Sequence, residues 1–178
     1  MTARISLTIL ALSVAAVPTA ARADGWATVS DVGRDVLVVA ALGAPVAQGD
    51  WAGLKQAGFS LATTGGTTYV LKELLPERRP DGSDRKSFPS GHTSLSFASA
   101  ATLENRYGWQ VGVPAFALAS LVGVARVEAR QHYWYDAVAG AAIGMAGGFL
   151  FTTPRDGRVR LVPWGDAHGG GAVVSLRF

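Results

Sequence analysis

The chain has 178 residues, of which 49% are hydrophobic and 16% charged. That length favours a single domain, and this much apolar surface argues against disorder. The formal charge is only +3, no basic stripe with interleaved aromatics is present, and there is no cysteine; a nucleic-acid partner, a disulfide framework and a thiolate nucleophile or metal site are set aside.

Arg4 precedes an apolar run over residues 5–17, followed by Pro18 and Ala21-Arg22-Ala23. A cationic start, an apolar centre and a small-x-small end predict a secretory signal peptide over residues 1–23. The run is short for a membrane span, although an uncleaved anchor is the alternative. Cleavage after Ala23 leaves 155 residues carrying 14 basic and 13 acidic side chains. The rest of the chain is expected in the periplasm or at the periplasmic face of a bacterial inner membrane.

Residues 35–48 are helical in composition. Residues 51–75 predict a second helix, interrupted at Gly58 and over residues 63–68. Pro76 and Pro80 close it, because proline cannot continue a helix. Residues 81–90 are polar and turn-rich. A third helix starts between Ser90 and Ser94 and ends near Arg106, where Gly108 breaks it. Residues 111–125 predict an uncharged fourth helix. Asp136 begins a fifth that runs to Thr153, since aspartate suits a helix start. Its Gly140, Gly144, Gly147 and Gly148 suit close helix–helix approach.

After Pro154 the composition changes. Residues 158–162 and 173–178 are β-like, with a glycine-rich turn over 165–171 between them, compatible with a two-stranded ribbon. An outer-membrane barrel needs about eight strands, and the sequence does not supply them. The fold class is therefore all-α, a bundle of about five helices. Residues 24–155 form the catalytic domain and residues 156–178 a tail.

Three clusters carry the chemistry: Lys72 with Arg79-Pro80, Pro89-Ser90-Gly91-His92, and Arg126 with His132 and Asp136. Lys72 ends the second helix, Ser90 starts the third, Arg126 ends the fourth, and Asp136 starts the fifth. Short connections make neighbouring helices antiparallel, so all three clusters fall at one end of the bundle. If the fifth helix reaches back to His132, that residue and Asp136 share a face. Asp136 then fixes the imidazole tautomer and leaves the other nitrogen as a nucleophile. Ser90 and Gly91 offer a helix N-terminus to an anion, and Lys72, Arg79 and Arg126 can neutralise a phosphoryl group. His92 is left to protonate a departing oxygen.

Each residue alone has an ordinary reading: a solvated lysine, a turn arginine, a helix cap, a packed histidine. The conjunction decides. Pro-Ser-Gly-His alone is expected by chance about once in a thousand chains of this length. The third histidine, His168, lies in the glycine-rich tail and reads as an exposed loop residue.

The three clusters resemble the three-part motif of the type 2 phosphatidic acid phosphatase (PAP2) superfamily, which includes bacterial acid phosphatases and vanadium haloperoxidases. One departure is Ala125, where serine usually precedes the arginine. The resemblance implies a helical bundle and phosphate ester hydrolysis without a metal or other cofactor. It implies His132 as the nucleophile forming a phosphohistidine, Asp136 orienting it, and His92 as the general acid. It implies Lys72, Arg79, Ser90, Gly91 and Arg126 as phosphate ligands.

The leading expectation is a phosphatase acting on a phosphorylated lipid at a membrane. A soluble, broad-specificity acid phosphatase acting on small esters is the alternative. A vanadate-dependent haloperoxidase is disfavoured by the chain's small size. A non-catalytic envelope protein is disfavoured because all the key groups are present.

Overall fold

The computed structural model describes residues 19–155, 159–166 and 169–176. Five helices follow in order: α1 (Thr19–Ala47), α2 (Trp51–Leu74), α3 (Gly91–Tyr107), α4 (Trp109–Glu128) and α5 (Trp134–Phe151). Two strands, β1 (Val159–Asp166) and β2 (Gly169–Leu176), pair antiparallel, with Val159 opposite Leu176 and Asp166 opposite Gly169. The expected all-α bundle with a terminal ribbon is present. The ribbon is longer than expected, because the glycine-rich segment contributes strand residues rather than a wide turn. His168 and most of the signal segment lie outside the described residues.

α3 is the central helix and packs against the other four. Most of its buried positions are small, among them Ser94, Ser96, Ala98, Ser99, Ala100 and Ala101. α5 comes closest to it. A Cβ on Gly140 would lie 2.6 Å from the Ser90 carbonyl oxygen, and one on Gly144 would lie 2.2 Å from that of Ser94. Side chains are excluded there, so the glycines set the α3–α5 distance. Leu37 and Ala41 of α1, Ala100 and Leu103 of α3, and Ala115 and Ala119 of α4 form the apolar core.

Two helices depart from expectation. α1 begins at Thr19 rather than at residue 35. Ser30, Gly33, Leu37, Ala41 and Pro45 all face inward, so a helical stripe of mostly small residues continues where the apolar pattern fails. α2 runs without interruption. Its Thr64 and Thr68 are buried, and Thr68 Oγ1 lies 2.9 Å from Ser94 Oγ of α3. Tertiary packing there outweighs weak helix propensity.

Gly108 separates α3 from α4 at φ +90°, a conformation that favours glycine. At the same end, Arg106 makes a forked contact with Asp50, the N-cap of α2, with both side chains buried. Arg106 also donates to the Thr153 carbonyl at 2.9 Å. This pair closes the end of the bundle opposite the three sequence clusters.

Candidate active site

The chain leaves α2 at Lys72 and crosses the mouth of the bundle through residues 75–90. It enters α3 at Gly91, after a cis Phe88–Pro89 bond. Lys72 Nζ donates to the carbonyls of Lys86 at 2.7 Å and Ser87 at 3.2 Å, pinning this loop to α2. The loop is also held by Ser87 N to Glu77 O at 2.9 Å and by Asp81 N to Arg130 O at 2.9 Å. The second contact reaches the α4–α5 connection.

Ser90 caps α3. Its hydroxyl accepts from Thr93 Oγ1 at 2.9 Å, and its amide donates to the Asp136 carbonyl at 3.1 Å. The second and third clusters are therefore joined backbone to backbone. Ser90 is fully buried, which leaves the amides of Gly91 and His92 to open the helix without intrahelical acceptors. A Cβ on Gly91 would meet only Lys72 Cε and Thr68 Cγ2, both at 3.8 Å, an ordinary contact. Packing does not demand glycine at this position.

His132 is not on a helix. It sits in the connection before α5, held by its amide to Arg126 O at 3.3 Å. Asp136 is not the cap of α5 but the third residue of its first turn, and it folds back to accept from Tyr133 N at 2.9 Å. The two still meet, with His132 Nδ1 3.4 Å from Asp136 Oδ2. The same oxygen accepts from Ser87 Oγ at 2.6 Å. Ser87, His132 and Asp136 are all buried. Burial, with Arg126, Lys72 and Arg79 nearby, holds the His132 pKa below its ordinary value against the opposing bond from Asp136. At neutral pH the ring is uncharged.

Arg126, in the last turn of α4, is 5% exposed. It donates to Ser30 Oγ at 3.3 Å and lies 3.7 Å from Asp31 Oδ1, yet its Nε has no partner among the described residues. A buried guanidinium with an unsatisfied donor is costly unless an anion completes it. Arg79 is more exposed and pairs with Asp84 at 2.8 Å. His92 Nε2 lies 2.6 Å from both Asp31 Oδ1 and Arg34 Nη1 of α1.

All eight residues expected from sequence thus gather at one end of the bundle. Sequence reasoning missed Ser30, Asp31 and Arg34 of α1, and Ser87. None belongs to a spaced motif, and only the fold brings them in.

A helical bundle that gathers three cations, the start of a helix and a buried His–Asp pair at one end defines a class, and comparison with known proteins identifies it. A model of the PAP2 superfamily matches residues 53–159, more than half of the chain, and the chain belongs to that superfamily. It is 36% identical over 119 residues to the lipid A 4'-phosphatase of Helicobacter pylori, covering 61% of this chain and 60% of that protein. It is 35% identical over 96 residues to the lipid A 1-phosphatase of Porphyromonas gingivalis, covering 52% of this chain and 21% of that protein. The chain therefore spans less than two thirds of either relative. The crystal structure of Aquifex aeolicus LpxE shares the fold, with a TM-score of 0.62 at 21% identity over 72% of this chain and 83% of that one.

Proposed function

We propose that the chain is a phosphatase that hydrolyses a phosphate monoester or diphosphate of a membrane lipid through a phosphohistidine. The observation that carries the phosphate reading is Arg126, a buried cation with an open donor, in the same cluster as the buried His132–Asp136 pair. In this reading Lys72, Arg79, Arg126, Ser90 and the Gly91 amide hold the phosphoryl oxygens. Asp136 holds the proton on Nδ1 of His132, leaving the Nε2 lone pair to attack phosphorus. The bond from phosphorus to the leaving oxygen breaks, its electron pair stays on that oxygen, and His92 supplies the proton. Water then attacks the phosphohistidine and gives a proton back to His92, releasing phosphate and free His132.

The protein's exterior supports the lipid. Trp51 and Trp109, each more than 60% exposed, stand at the end where α2 and α4 begin. Tyr69 and Trp134, equally exposed, stand at the site end. Trp51 and Tyr69 are about 27 Å apart along α2 at 1.5 Å per residue, close to a bilayer's hydrocarbon thickness. Between the two ends Val39, Val113, Leu121, Val124 and Val138 are exposed. α4 and α5 are both long and apolar enough to cross a membrane. Aromatic residues at both ends of an apolar band support a bilayer-embedded reading, in which the site lies at one interface. A soluble enzyme of small esters has no use for such a surface. In this reading residues 1–23 direct the chain to the periplasmic side.

Phosphate release from a panel of lipid phosphates, beside p-nitrophenyl phosphate, tests the proposal. His132→Ala should abolish release while the helical circular dichroism is unchanged. A His132→Ala protein with wild-type turnover refutes the mechanism. Equal turnover of small esters and every lipid, with release of the protein by osmotic shock, refutes the lipid assignment.

A further inference from the structure

α1 lies outside the stretch matched by the family, residues 53–159, yet it supplies three side chains to the site. A Cβ on Gly33 would lie 2.7 Å from Val122 Cγ2, so α1 comes against α4 here, one turn from Arg126. Asp31 and Arg34, three apart on α1, then reach the same atom, His92 Nε2, each at 2.6 Å. Asp35 steadies Arg34 through Nε at 2.9 Å.

These two contacts exclude each other. A carboxylate accepts only from a protonated Nε2. A guanidinium donates only to a bare one. The charged groups facing His92 are Asp31 and Arg34 from α1 and Arg126 from α4; Lys72 of α2 reaches Gly91, and Asp136 of α5 is tied to Ser90. An imidazolium at His92 has two guanidiniums against it and one carboxylate for it.

We propose that Asp31 and Arg34 are positioning residues for His92 that set how readily it gives a proton. Asp31 accepts from Nε2–H of the charged ring, which leaves the proton on the other nitrogen, Nδ1, to pass to the leaving oxygen; Arg34, beside the same Nε2, opposes the ring's charge and favours that release. Asp31, 3.7 Å from Arg126 Nη1, also links the proton donor to the phosphate ligand. This inference rests on His92 being the general acid.

The test compares the single-turnover rate of alcohol release against pH for Asp31→Asn and Arg34→Gln in the full chain, on an alkyl phosphate and on p-nitrophenyl phosphate. An alkoxide needs a proton to leave and p-nitrophenolate does not, so only the first substrate reports on the acid. Asp31→Asn should reduce alkyl phosphate turnover at neutral pH at least tenfold more than that of the aryl ester, and should move the basic limb of the alkyl profile to lower pH. Arg34→Gln should move that limb to higher pH. Asp31→Glu should restore part of the loss, which a merely structural role would not predict. Limbs that stay put, or shift in the same direction, overturn the proposal. Equal losses on both substrates in Asp31→Asn overturn it as well. His92→Ala separates the two levels in the same single-turnover assay, which ends before the phosphohistidine is hydrolysed: if it slows release of both alcohols equally, His92 is not the acid and the parent reading fails. If it slows only the alkyl ester while Asp31→Asn slows neither selectively, the α1 pair alone is wrong.

Discussion

Ser87→Ala is the sharpest test of how Asp136 is held. The Ser87 hydroxyl donates to Asp136 Oδ2 at 2.6 Å with both groups fully buried, while Asp136 Oδ1 has no partner among the described residues. Oδ2 thus carries the carboxylate's contacts, from Ser87, from the Tyr133 amide and, at longer range, from His132. A hydrogen bond to a buried charge contributes about 1.5–3 kcal/mol. If that energy holds the carboxylate in place for the transition state, its loss lowers kcat by about 10- to 150-fold. Steady-state phosphate release gives kcat, and the same measurement on Asp136→Asn and on the double variant closes a thermodynamic cycle. The Ser87→Ala effect should shrink strongly once Asp136 is already neutral. A Ser87→Ala enzyme within twofold of wild type, or an undiminished effect in the Asp136→Asn background, refutes the reasoning.

Three further outcomes are expected. Because His132 has a depressed pKa and, in the proposed mechanism, attacks as the neutral ring, the acid limb of kcat/KM should fall below the ordinary histidine value of about 6.5; a midpoint at or above that value counts against His132. The same shift means that protons bind the unfolded chain more readily, so the stability owed to neutral His132 is complete above about pH 6.5 and declines as pH falls toward the lowered folded value, which chemical denaturation at several pH values would register. Gly91→Ala should fold normally, since its Cβ makes only ordinary contacts, but should raise the inhibition constant for inorganic phosphate several-fold; unchanged inhibition would remove Gly91 from the anion site. Gly144→Ala places a Cβ 2.2 Å from the Ser94 carbonyl oxygen and 2.8 Å from the Ala98 nitrogen, so it should destabilise the bundle by about 1–3 kcal/mol in denaturant titration, and a neutral result would mean that the two helices separate freely.

The sequence made the clusters and most of the helices legible, because motif spacing and proline and glycine punctuation are local signals. What it hid is instructive. The first helix was expected only from residue 35 because its inward face before that carries Ser30 and Gly33 rather than large apolar groups, with Asp31 and Arg34 beside them. Those residues belong to the site, and a pattern built on apolar burial cannot recognise them. The run from Thr63 to Thr68 looked like a break because threonine and glycine are weak helix formers, whereas α2 stays intact through its packing against α3 and α5. His132 and Asp136 were expected to meet as neighbours on one helix. They meet instead because Asp136 turns back across the start of α5, a connection with no periodic signature. Ser87 and the Asp50–Arg106 pair depend on partners 49 and 56 residues away, beyond the reach of local pattern.

The backbone bond from Ser90 to Asp136 has a bearing on how this enzyme could diversify. It joins the start of α3 to the carboxylate beside His132 in one block, with Gly140 and Gly144 allowing α3 and α5 to pack closely. The loop over residues 77–86 is tied to that block through main-chain atoms and through Lys72, while Arg78 and Arg85 are exposed at the rim. If the proposed lipid reading holds, substitutions at Arg78 or Arg85 should alter which head group is admitted without disturbing the groups that react. On that reading, substrate range and catalytic competence would be separable traits, and directed evolution of the loop alone would be a route to new preferences.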